Sequence, residues 1–423
     1  MAHAHSLNPV PAISRAEAVL LAGLQSRVTN DGDTLLAELT PEEWASVVQL
    51  AIRQRVGPLL LHHLLSTKRD HHLPGDARQL LKARARSAAA RALRCQAEFV
   101  RLSQMVEPHG VSLVALKGLH LASSVYANPA LREMIDIDVF VPVGDVVTVA
   151  ELAGQLGYEP VRQFDLAADL VASHHLPRFM KPHVGLEIHW RLFSPFELLC
   201  IDTVGLLLRA VPFQLTSNAK TLCPEDLLLH ICIHGSAVHG FAQGLRPMCD
   251  VRAIIDRYRE SLLWDEVIDR ATAWQVRRAV LLVLRLSRDL LGAAVPADVL
   301  ARLGAPEVPP DLMAVSARQA LSGSALAEDV TPAAGRLLAC ESAGARLCHL
   351  WSRVWLSEEV LATLYHFALG LRPRQLALYR ARRAYDVLVK YGWRLTRLAW
   401  RSDGPARQFI DRRNALAAWL RER

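Results

Sequence analysis

The ten residues MIDIDVFVPV, 134 to 143, are an apolar run interrupted by two aspartates one residue apart, Asp136 and Asp138. The run has the composition of a strand. Alternate side chains of a strand point to opposite faces, so Ile135, Ile137 and Val139 share one face and Asp136 and Asp138 the other. The first face belongs in a core. The second carries two carboxylates side by side, about 6–7 Å apart at their Cα atoms. Carboxylates that close repel and raise each other's pKa unless a cation lies between them. An oxygen-only site of this kind suits a hard cation such as Mg²⁺.

The surrounding sequence supplies neighbours for such a strand. VSLVAL, 111 to 116, reads as a buried strand that meets Lys117 and Gly118, and LHLASSVY then reads as a helix ended by ANP. GDVVTVAELAGQLGY is a helix with Gly157 at its C-cap, and YEPV, PRFMK and GLEIHWRL are further strands. Residues 111–201 therefore read as a compact α/β core. Residues 1–110 read as helices. One begins at TPEEW, with Thr40 as N-cap, Pro41 at the first helical position and Glu43 completing a capping box. A second spans about 77 to 106. Residues 202–303 form a helical domain, with SNAKTL as a hairpin turn before a helix opened by Pro224 and Glu225. GAPEVPPDL, 304 to 312, reads as a linker into a basic helical region over 304–423. The fold class is α+β: one small sheet between N-terminal and C-terminal helical regions.

An apolar fraction of 51% excludes general disorder. The most apolar stretch, 277 to 295, is interrupted by Arg285, Arg288 and Asp289, so no membrane span is expected. The opening MAHAHSLNPVPAISR lacks a basic end followed by a long apolar core, and the chain is expected in the cytoplasm. Cys95, Cys200, Cys223, Cys232, Cys249, Cys340 and Cys348 show no metal-knuckle spacing and read as free thiols. The net charge of +7 is uneven: residues 371 to 423 carry +10, and the rest sums to −3. That tail alternates Arg with Tyr and Trp, as a nucleic-acid surface does. Leu376, Tyr379 and Arg383 instead follow helical spacing, which favours amphipathic helices with arginines around an aromatic stripe.

A third carboxylate shares the setting of the two aspartates. In VGLEIHWRL, Glu187 and His189 face one way and Leu186 and Ile188 the other. If that strand lies beside the first, Asp136, Asp138 and Glu187 can hold two Mg²⁺ ions, activate an attacking hydroxyl and neutralise a phosphate leaving group. Gly118, where a strand gives way to a helix, lets backbone N–H groups approach a phosphate, and Lys117 and Arg132 add positive charge. His174, His175 and His189 are candidate substrate contacts. His230 and His234 stand four apart, a spacing seen in zinc sites, but no third ligand is evident and they read as packing residues.

LKGLHLASSVYANPALREMIDIDVFV, the EIHW strand (Glu187, Ile188, His189, Trp190) and LLLHICIHGSAVH with His230, His234 and His239 resemble the motifs of a bacterial nucleotidyltransferase family often labelled uncharacterised. That family lies in the superfamily of DNA polymerase β and the aminoglycoside nucleotidyltransferases. The resemblance spans roughly 40 to 295, with its motifs at 113 to 239, and rests on Lys117, Gly118, Tyr126, Arg132, Asp136, Asp138 and Glu187. It implies a mixed-sheet core, Mg²⁺ (with Mn²⁺ as an alternative) and an NTP such as ATP. It implies a reaction class and not a substrate: the acceptor, a small molecule, peptide or saccharide, is unidentified, and family members resemble accessory genes of polysaccharide and natural-product clusters. Superfamily members commonly carry Gly-Ser or Gly-Gly where this chain has Lys117-Gly118. A non-catalytic nucleotide-binding or scaffold protein on a degenerate core is the alternative.

Overall fold

The computed structural model describes residues 13–25, 30–164, 173–193, 199–305, 308–322 and 370–399, with isolated positions within 166–170, 351–365 and 415–420. The N-terminal helices start where the sequence provides caps. Ser14 with Glu17, and Thr40 with Glu43, close capping boxes at the starts of α1 (Arg15–Leu24) and α3 (Pro41–Arg53). Between them lies α2 (Asn30–Ala37), and α4 (Gly57–Ser66) follows. α5 (Gly75–Val106) is a single 32-residue helix that packs against α3, α4 and the sheet.

The chain then enters the sheet. β1 (Leu113–Ala115) leads into α6 (Lys117–His120), which continues as a π turn over Leu121–Val125. β2 (Asp136–Phe140), α7 (Val146–Gln155), β3 (Glu159–Pro160), β4 (Phe179–Lys181) and β5 (Val184–His189) follow. α8 (Thr203–Arg209) precedes a hairpin of β6 (Val211–Pro212) and β7 (Ala219–Thr221). The seven strands run in the order β3-β4-β5-β2-β1-β7-β6. β2 pairs in parallel with β5 and β1 with β7, while the other pairings are antiparallel. The sheet is thus mixed, and the α+β arrangement stands as the sequence indicated.

Ile137, Val139, Leu186 and Ile188 are all but inaccessible and form the core face of β2 and β5, which α5 and α7 contact. Ile135, expected on that face, precedes the strand and is 39% exposed. The pleat begins only at Asp136, so the alternation does not extend to it. The helices after the sheet are α9 (Pro224–Ile233), α10 (Arg246–Arg257), α11 (Trp264–Ala273), α12 (Arg277–Leu291), α13 (Ala297–Arg302) and α14 (Pro310–Ser322). Among the described residues, no helix is long and apolar enough to cross a membrane.

The chain divides into two compact units. One comprises residues 1–161 and 174–324, so the sheet shares a unit with the helices on either side of it in sequence. The other comprises 162–173 and 325–422 and contains α15 (Pro373–Ala399). Within that second unit Arg380 lies over the Trp355 ring and Arg382 over the Tyr365 ring, as arginines around an aromatic stripe do. Cys340 and Cys348 lie outside the described residues. Cys95, Cys223, Cys232 and Cys249 are buried free thiols, and Cys200 is an exposed one.

Candidate active site

Parallel pairing of β2 with β5 sets the register of the site. Asp136 stands opposite Gly185, Asp138 opposite Glu187, and Phe140 opposite His189. Register partners on neighbouring strands point the same way, so Asp136, Asp138, Glu187 and His189 share the face away from α5 and α7. Ligand atoms of Asp138, Glu187 and His189 all lie within 4.8 Å of one another. Asp136 is on the same face, but its carboxylate is taken by Arg178 at 2.6 Å. Two carboxylates and an imidazole fit a divalent cation, though not the all-oxygen set expected of the strand pattern: the pleat that places Glu187 also places His189.

Internal cations already balance these acids. Lys117 Nζ donates to Asp138 Oδ1 at 2.7 Å, and His189 Nε2 approaches the same oxygen at 3.1 Å. The Arg178 guanidinium bridges Asp136 and Glu187, with contacts of 2.6 and 2.7 Å. Burial alone would raise the Asp138 pKa, but the Lys117 charge and the His189 hydrogen bond hold it well below the usual carboxylate range. Burial is the largest single influence on Glu187 and would raise it, but the His189 hydrogen bond together with the His189 and Lys117 charges brings it down to about 2. Asp136 goes the other way, to about 6, because burial and the charges of Asp138 and Glu187 outweigh Arg178.

Arg178 reaches both acids because Gly185 leaves room. A Cβ at Gly185 would lie 3.2 Å from Arg178 Cδ and 3.5 Å from Asp136 Cβ. Gly118 is likewise a site of close approach, since a Cβ there would sit 3.0 Å from Met134 Cβ. The left-handed backbone at this corner belongs to Lys117, with φ 41°, and not to the glycine.

Arg132, expected to reach phosphate, turns inward. Its Nε donates to both carboxylate oxygens of Asp250 on α10, at 2.7 and 2.9 Å, and Tyr126 OH donates to the same group at 2.9 Å. Arg132 still lines the cavity over the sheet, about 380 Å³ in volume, together with Lys117, Gly118, Asp136, Asp138 and Glu187. His174 and His175 line it as well. Residues 174–176 pair with the end of β5, which sets the two rings 5.4 and 4.9 Å from that of His189. Burial and the neighbouring histidines hold both below the ordinary imidazole value. His230 is fully buried with neither ring nitrogen bonded, and His234 meets His239 edge-on, their Nε2 atoms hydrogen-bonded at 3.2 Å. Among the described residues, neither belongs to a cluster that could hold a metal.

The sequence reading missed Arg55, Arg178, Arg246 and Asp250. Only Arg178 left a trace: Gly185 interrupts an otherwise β-rich strand, which marks close approach of another group.

Residues 40–292 match the model of a family described as uncharacterised nucleotidyltransferase. The chain belongs to this family. Membership supports nucleotidyl transfer as the reaction class, and with it a nucleotide substrate. No curated protein and no solved structure gives a significant match.

Proposed function

We propose that the chain is a metal-dependent nucleotidyltransferase that moves an NMP unit from an NTP to the hydroxyl or phosphate of a small-molecule, peptide or saccharide acceptor in the cytoplasm. One observation carries the reading. Parallel β2 and β5 set Asp138 beside Glu187, with Asp136 and His189 on the same face, in a cavity that also presents lysine and arginine. Asp138, Glu187 and His189 are the residues to hold a divalent cation, Mg²⁺ or Mn²⁺, with Asp136 beside them. The cation supplies charge neutralisation at the transferred phosphate and its leaving group. Lys117 keeps Asp138 ionised, and Arg178 keeps the carboxylates of Asp136 and Glu187 within one guanidinium's reach. Gly118 and Lys117 border the phosphates, Arg132 lines the same cavity while committed to Asp250, and His174 and His175 border the acceptor side. Positioning and charge are the protein's contribution, as in other phosphoryl transfers.

The test is incubation with α-labelled NTPs and Mg²⁺ or Mn²⁺, with pyrophosphate release as the readout. Asp138→Asn is expected to abolish release while the circular dichroism spectrum stays that of the wild type. Turnover that survives in the Asp136→Asn, Asp138→Asn double variant refutes the assignment.

A second reading, a nucleotide-binding or scaffold protein without turnover, has its own support. Lys117 and Arg178 already satisfy the acidic groups, and Lys117-Gly118 stands where superfamily members commonly carry Gly-Ser. Tight NTP binding without pyrophosphate release across the acceptor classes decides for it.

A further inference from the structure

Most cations that line the cavity are matched. Lys117 pairs with Asp138, Arg178 with Asp136 and Glu187, and Arg132 with Asp250. Arg55 and Arg246 line the same cavity, and among the described residues neither side chain has an ion pair or hydrogen bond. Arg246 Nε is sealed from solvent and bonded to nothing. A half-buried guanidinium whose Nε is sealed from water, with Asp250 and Asp136 near enough to act on its charge but not to pair with it, is costly. Burial, reinforced by Arg132, pushes its pKa down to about 9, so it stays charged at neutral pH.

The fold fastens these two arginines to one wall. Arg55 occupies the turn after α3 with φ 57°, and Arg246 is the first residue of α10. Gln54 ties the two segments together. Its side-chain oxygen accepts from the Leu245 N–H at 2.8 Å, and its amide nitrogen donates to the Leu321 carbonyl at 2.5 Å. Gly244, at φ 73°, passes so close that a Cβ there would lie 2.9 Å from Gln54 Oε1. The amino end of α10, a 12-residue helix with no side-chain cap, opens onto the cavity through Arg246 and Pro247. It adds the positive end of a helix dipole.

We propose that Arg55, Arg246 and the amino end of α10 form a phosphate-binding subsite on the wall of the cavity. Guanidinium groups meet phosphate oxygens in bidentate pairs, which a lysine cannot reproduce. The choice of phosphate over another anion rests on the nucleotidyl-transfer reading. The phosphate comes either from the tail of the NTP or from a phosphorylated acceptor.

Inorganic tripolyphosphate, titrated calorimetrically without metal into the full chain, tests the subsite. Arg246→Met keeps the length of the stem and removes the charge. It is expected to weaken tripolyphosphate about tenfold or more, with Arg246→Lys recovering only part of the loss. Loss of an unmatched half-buried charge leaves the melting temperature of the free chain at or above that of the wild type, whereas loss of a structural arginine lowers it. ATP and AMP separate the two sources. If Arg246→Met erases the preference for ATP over AMP, the subsite holds the NTP tail; if ATP affinity is unchanged while tripolyphosphate is lost, it holds an acceptor phosphate. Wild-type affinity for tripolyphosphate in Arg246→Met overturns the subsite, and Arg55→Met provides the same measurement should the first variant fail to fold. No turnover enters these titrations, so a chain that binds tripolyphosphate through Arg246 yet releases no pyrophosphate sinks the transferase reading alone.

Discussion

Replacement of Arg178 by glutamine tests whether the site is held shut by its own cations. Arg178 makes contacts of 3.0 and 2.7 Å to Glu187 and 2.6 Å to Asp136, but its side chain is 39% exposed. Hydrogen bonds to charged groups contribute roughly 1.5–3 kcal/mol each when buried. Solvent screening at this exposure reduces the sum to about 1–2 kcal/mol. At roughly 2–4 °C per kcal/mol, Arg178→Gln is expected to melt several degrees below the wild type without metal. A divalent cation reverses the order of benefit. In the wild type it must displace Arg178 from Asp136 and Glu187; in the variant those carboxylates keep only the weaker influence of Lys117 and His189. Saturating Mn²⁺ should therefore raise the melting temperature of the variant by more than that of the wild type, and bring the two loaded proteins close together. Differential scanning fluorimetry across a Mn²⁺ series reads both shifts. A variant that gains no more than the wild type from Mn²⁺ refutes the idea that Arg178 and the cation compete for the same oxygens.

Asp250→Asn removes the carboxylate that holds the buried guanidinium of Arg132 and the hydroxyl of Tyr126. Breaking one partner of a buried pair costs about 3–5 kcal/mol, to be read by urea denaturation; a loss under about 1 kcal/mol refutes it. The buried histidines predict a pH dependence. Burial pushes His120 down to about 3, and burial with the Arg252 charge pushes His63 to about 4, from an ordinary 6.5. Below pH 6.5 the unfolded chain takes up protons that the folded chain refuses, so stability falls as pH drops towards those values. The loss is up to about 2 kcal/mol for each histidine between pH 8 and pH 5. Asp136, raised to about 6, opposes this by about 1 kcal/mol over the same range, since its protonated form is favoured in the folded state. Urea midpoints at the two pH values measure the balance, and equal stability at both contradicts it.

The parts of this protein that were legible in its sequence depend on short-range periodicity. The capping box at Thr40 announces its helix within four residues. The period-two pattern of β2 and β5 places Asp138, Glu187 and His189 on one face once the strands pair. The partners that neutralise those acids carry no such mark. Arg178 precedes β4, and its approach depends on a missing Cβ on a different strand, at Gly185. Asp250 lies on an amphipathic helix where a charge ordinarily faces water, 118 residues from the arginine it binds. Gly118 was visible as a corner residue, but the strained backbone one position earlier, at Lys117, was not. Pairings across the fold are set by packing of whole elements, and no local pattern reports them.

The charges on the cavity wall suggest why the acids carry partners of their own. Arg55, Lys117, Arg132, Arg178 and Arg246 stand against Asp136, Asp138, Glu187 and Asp250, so the free site is close to neutral. A site acidic enough to hold a cation with no internal counter-charge would repel a polyphosphate. A site basic enough to hold the polyphosphate unaided would repel the cation. On the proposed function, Lys117 and Arg178 would resolve this by changing partners. In the free chain they shield the carboxylates; a cation held by Asp138, Glu187 and His189 would free both for phosphate oxygens. Arg132 takes no part in the exchange, since Asp250 and the Glu133 carbonyl hold it away from the carboxylates of β2 and β5. Cation and nucleotide then each create the charge the other needs, and the coupling between them must be reciprocal. Either functional reading would use this exchange to bind cation and nucleotide together. A transferase would use it a second time, because both side chains would stand free when negative charge develops on the leaving pyrophosphate.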